Sequence, residues 1–154
     1  MVTLNHHPDG KLIVSDAGTI SEIAQILADY YQYKGYSTTK EDIEEILVLD
    51  FLFYAAWATT EGQSRSTQII DKSAVISVSE WGILDPVVRA HCDYLQSQRV
   101  EASGSIGMQH FGLTSSEANQ IYVNAKEEMK KTAFVEAPFL VDYEYSRPLN
   151  RRVD

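Results

Sequence analysis

Val78 to Gly112 reads VSEWGILDPVVRAHCDYLQSQRVEASGSIGMQHFG, and the fold turns on how that stretch is read. Ser79-Glu80-Trp81 is a helix-start signal: a serine N-cap with an acid beside it in the first turn, where the helix dipole favours negative charge. Ile83, Val87, Ala90 and Tyr94 then recur at helical spacing, with Leu84, Val88 and Leu95 in the adjoining row. This predicts one long amphipathic helix over roughly 79–104. Pro86 belongs either to its first turn, where a missing N–H costs nothing, or to a kink one turn in. Gly104 and Gly107 end the helix, and Phe111-Gly112 leads onward.

Downstream, Thr114-Ser115-Ser116-Glu117 supplies another N-cap with an acid at N3. A helix follows over roughly 114–131, with Ile121, Ala125 and Met129 on one face and Ala118 and Tyr122 in the next row. Lys126, Lys130 and Lys131 lie toward its C-terminus, the end that favours cations. Ala133 to Val141 (AFVEAPFLV) reads as extended, and Pro138 confines it to a sheet edge.

Upstream, Thr67–Ile70 and Ala74–Val78 are short β-branched stretches around Asp71-Lys72, which predicts a small hairpin near 66–78. Glu61 to Arg65 reads as a polar loop. Before it, Thr39 caps a helix over roughly 40–60, with Asp42 at N3. From Ile46 to Ala58 that helix is apolar nearly all round, so it is expected either at the centre of a bundle or against a neighbouring subunit. Phe51, Phe53, Tyr54 and Trp57, with Trp81, are the expected core or oligomer contacts. Asp50 interrupts the run. A buried unpaired carboxylate is costly, so Asp50 either faces solvent or pairs with a base such as Arg89. The first helix, roughly 19–34, is capped by Thr19 or Ser21 and offers Ile20, Ile23, Ile26, Leu27 and Tyr30 as its apolar face, with Gly35 ending it. Tyr30, Tyr31, Tyr33 and Tyr36 cluster there, suited to a partner contact or to a core edge. Pro8-Asp9-Gly10 is turn chemistry, and Lys11 to Val14 reads as a short edge strand.

The whole is a mainly α chain: a bundle of about four helices, a small β element and an extended C-terminal arm. With 154 residues, 44% of them hydrophobic, it is long enough for one cored domain. No apolar run reaches membrane-spanning length, and no signal-peptide pattern opens the chain, so a soluble product made inside the cell is expected. A lone cysteine excludes an internal disulfide. The formal charge of −9 argues against binding nucleic acid through its phosphates, which requires clustered Lys and Arg.

Catalytic patterns are weak. Sequence neighbours on a helix point about 100° apart, so His91 is not placed to activate Cys92. His110 is isolated, and adjacent His6 and His7 do not easily share one metal. Gly104, Gly107 and Gly112 lack the lysine and strand-to-helix turn of a phosphate loop. No catalytic, cofactor-binding or metal-binding residues are assigned. The competing classes are a small hydrolase or transferase using Asp50, Cys92 or His110, and an acidic regulatory protein that binds another protein.

The order of pieces resembles a known family. A short β stretch leads to Ser79-Glu80-Trp81 and Pro86, a long helix ends in Glu101-Ala102-Ser103, and a glycine turn reaches Phe111-Gly112. A Thr/Ser-capped helix and an apolar extended segment follow. In residues 74–141 this is similar to the head-completion or head–tail adaptor proteins of tailed bacteriophages. The resemblance implies a non-enzymatic virion protein of the neck, made in the host cytoplasm and assembled as a homo-oligomeric ring, dodecameric in the family's manner, beneath the portal protein. Its expected partners are the portal and the tail or tail-terminator proteins, with DNA passing through the lumen without sequence-specific binding. Residues 1–142 are expected to form the adaptor body and 143–154 a docking tail. In that tail Tyr143, Tyr145 and Leu149 are apolar anchors, Arg147, Arg151 and Arg152 are forked donors for carboxylates, and Pro148 stiffens the chain.

Overall fold

Five helix starts are closed by the same local device, one of them by Thr60 with Gln63. In a computed structural model that describes residues 16–65, 69–104 and 112–136, Thr19 accepts a hydrogen bond from the Glu22 N–H at 3.2 Å while the Glu22 carboxylate accepts from the Thr19 N–H at 2.8 Å. Thr39 with Asp42, Ser77 with Glu80 and Thr114 with Glu117 repeat the exchange. Each pair satisfies donors that a helix N-terminus otherwise leaves open. The elements are β1 (Asp16–Thr19), α1 (Ile20–Tyr33), α2 (Lys40–Ala55), α3 (Glu61–Arg65), β2 (Val75–Ser77), α4 (Val78–Ala102) and α5 (Ser115–Glu136).

The cap of α4 is Ser77, not Ser79, because only from Ser77 does Glu80 stand at N3 and reach back. Glu80 is buried, and its second oxygen accepts from the Glu61 N–H at 2.8 Å. One carboxylate therefore closes the starts of both α4 and α3, and the expected polar loop at Glu61 to Arg65 is a short helix instead. Pro86 lies neither in the first turn nor one turn in but in the third turn of α4, where it offers no N–H to the Gly82 carbonyl.

The β element is not a local hairpin. β2 pairs antiparallel with β1 in the register Asp16↔Ser77, Gly18↔Ile76, Thr19↔Val75, with an irregularity at Gly18, whose φ of 141° suits glycine. Asp71 instead folds its own turn, accepting from the Ser73 N–H at 2.8 Å, which leaves Ile69 exposed. Residues 66–68 and Lys11 to Val14 lie outside the described residues.

α1, α2, α4 and α5 pack around one core that includes Ile20, Leu27, Ile43, Leu47, Phe51 and Leu84. Arg99 near the end of α4 donates to Asp42 and to the Ser37 carbonyl, each at 2.8 Å, so α4 runs antiparallel to α2. α5 returns along α4 and runs parallel to α2: Tyr122, Lys126 and Lys130 of α5 meet Asp50 and Phe53 of α2 and Trp57 just beyond its end, in step.

Three expectations about helix faces change. α2 stops at Ala55, and its greasy run is covered on one side only, with Leu49 58% and Trp57 39% exposed. The helix stands at the bundle's margin, where α1, α4 and α5 reach just its inner face. In α1 the inner positions go to Ala24, Ala28 and Tyr31, and Ile26 and Tyr30 point outward; small residues let α1 approach its neighbours closely. In α5 the helix continues through Glu136, so Ala133 to Glu136 is helical rather than extended. Ala133 is buried and Ile121 is exposed.

Candidate interaction surface

Asp50 does not pair with Arg89. It is 1% exposed, accepts from the Tyr122 hydroxyl at 2.8 Å, and lies 3.1 Å from His91 Nδ1. The His91 ring stacks on Tyr122 with centroids 4.3 Å apart. Arg89 faces away from α2, holding Asp85 one turn back at 2.8 and 2.9 Å and lying over the Tyr30 ring at 5.3 Å. Burial, then the Asp50 charge, pushes the Tyr122 phenol well above its ordinary range, so it stays a hydrogen-bond donor. This cluster joins α2, α4 and α5 across their centre, and satisfying a buried carboxylate in this way fixes their register.

Cys92 is fully buried, and burial together with the Asp93 and Asp50 charges pushes its thiol up to about 12. A protonated, enclosed thiol is a core filler. Alkylation by iodoacetamide at pH 8 is therefore expected to be at least about a hundredfold slower in the folded protein than in denaturant. Equal rates would show that the thiol is open. Among the described residues, no three His, Cys, Asp or Glu side chains converge as a metal set.

The surface offers more. On α2, Leu49, Leu52, Phe53 and Ala56 follow the i, i+3, i+4, i+7 spacing of a single stripe, exposed except for half-buried Phe53. Beside it, Lys126 lies 4.4 Å over the Phe53 ring and Lys130 4.2 Å over the Trp57 ring, so α5 covers the stripe's flank with cations rather than apolar groups. On α1, Ile26, Tyr30 and Tyr33 form a second stripe at i, i+4, i+7, with Tyr33 94% exposed. The two stripes border different partners, the first α5 and the second α4 at Arg89.

Of the contacts expected from sequence, Phe51 and Tyr54 are core residues stacked on each other at 6.1 Å, while Phe53, Trp57 and Trp81 sit at its margin. The tail residues Tyr143, Tyr145, Arg147, Pro148, Leu149, Arg151 and Arg152 lie outside the described residues. Sequence reasoning missed Glu80 as a double cap and the two lysines over aromatic rings. The outward stripe of α2 was detectable, because its four apolar positions continue the line of Glu41 and Glu45. No family model, curated protein or solved structure matches this chain.

Proposed function

We propose that this protein is a structural adaptor of a tailed-bacteriophage virion, forming a ring beneath the portal that joins head to tail and continues the DNA channel. The observation that carries the reading is the pair of unlike apolar stripes on α1 and α2. A ring-former meets each neighbour through a different face, so it needs two such surfaces on one protomer. The acidic balance supports the same role, because a wall of like charge lets DNA pass without holding it. The C-terminal tail, with its arginines and tyrosines, is the arm that docks on the portal.

Mass measurement with purified portal rings tests this. The full chain is expected to add to the portal as a ring of many copies. Deleting the residues after Asp142 is expected to leave the melting temperature unchanged and to abolish portal binding. A full-length chain that stays monomeric and never joins the portal would remove the adaptor reading. Full affinity in the truncated chain would remove the docking arm alone.

A further inference from the structure

The exposed face of α2 has two halves. Glu41 and Glu45 occupy its N-terminal half, and Leu49, Leu52 and Ala56 continue the same face through its C-terminal half. Neither acid forms an ion pair among the described residues. Lys72, close enough to feel both charges, is bonded to Glu44 at 2.8 Å.

α5 delivers the following chain to one end of this face. Because α5 runs parallel to α2 with Lys130 level with Trp57, Glu136 ends α5 about 9 Å beyond Trp57 at 1.5 Å per residue. The sequence that follows repeats the order of the face in reverse. Phe139-Leu140-Val141, Tyr143 and Tyr145 come first, and Arg147, Arg151 and Arg152 come after. A chain turning back from the end of α5 meets the apolar half of α2 before the acidic half. Length permits it: returning to the level of Glu41 takes about 33 Å of helix rise, and residues 137–152 span about 53 Å when extended at 3.3 Å each.

We propose that residues 139–152 lie antiparallel along the exposed face of α2 in the same chain, the apolar part on Leu49, Leu52 and Ala56 and the arginines beside Glu45 and Glu41. The strap needs no portal and stands apart from the adaptor role.

Paired cysteines in the full chain, in a Cys92→Ala background, test the strap without any partner. Ala56→Cys with Tyr143→Cys, and separately Glu45→Cys with Arg147→Cys, are the matched pairs; Ala56→Cys with Arg151→Cys is the crossed pair. On oxidation of dilute protein, the matched pairs are expected to close within one chain, at a rate independent of dilution and about tenfold above the crossed pair, because a seated segment raises the local thiol concentration. Adding Glu41→Arg to the Glu45→Cys pair is expected to slow its closure. Disulfides between chains would place the segment on a neighbouring copy and overturn the proposal. Equal closure of matched and crossed pairs, or no closure at all, would overturn it as well.

Discussion

Phe51→Ala is expected to lower the free energy of unfolding by about 3–5 kcal/mol, the usual cost of truncating a fully enclosed aromatic residue. Phe51 has no exposed surface, stacks on Tyr54, and shares the inner face of α2 with Ile43 and Leu47. Its neighbours come from several helices, so no single element can move in to fill the space. Trp57→Ala, just past the end of the same helix, is expected to cost only about 1–2 kcal/mol, because Trp57 is 39% exposed and loses mainly the Lys130 contact and partial burial. Urea unfolding of both variants, with unchanged slope, gives the comparison. A loss at Phe51 below that at Trp57 would show that the core is centred elsewhere.

Leu49→Glu combined with Leu52→Glu is expected to leave helix content and melting temperature unchanged while abolishing ring formation. Both side chains are exposed among the described residues, so the new charges cost the helix bundle nothing until another surface covers them. Ile26→Glu with Tyr33→Glu is expected to do the same from the other face. If the α1 stripe of one copy meets the α2 stripe of the next, a mixture of the two variants retains one intact junction. It should therefore give dimers and no rings. Sedimentation of each variant and of the mixture reads all three results. Rings from either variant alone, or no dimer in the mixture, would show that the stripes are not the junction.

The fold class and the four long helices were legible because each carries its own start signal. Thr19, Thr39 and Thr114 are each followed by an acid three positions on, a pattern that acts within one turn. For α4 the start signal reads two residues late, at Ser79, because Glu80 marks Ser77 only through its reach back. What failed was whatever depended on distant neighbours. β2 has β-branched residues suited to a hairpin, yet its partner is β1, supplied by the N-terminal side of the chain. Asp50 signalled that a partner was needed without saying which, and the answer depended on α4 presenting residue 91 rather than 89 toward α2. The apolar run of α2 stated how much surface seeks cover, while the packing of the other helices decided which part of it obtains cover within the chain.

The pairing of β1 with β2, and of α2 with α4, also orders events on the ribosome. The inner face of α2 is complete once Ala55 has been made, but α4, which covers it, ends only at Ala102. At about 5–20 residues per second, roughly 47 residues of synthesis take about 2–9 s. Throughout that interval Ile43, Leu47 and Phe51 have only α1 to lean on, and β1 waits for its partner strand until Ser77 has been made. The nascent chain thus presents a greasy, half-built hairpin of helices to its surroundings for seconds, a natural client for a chaperone that holds short apolar segments.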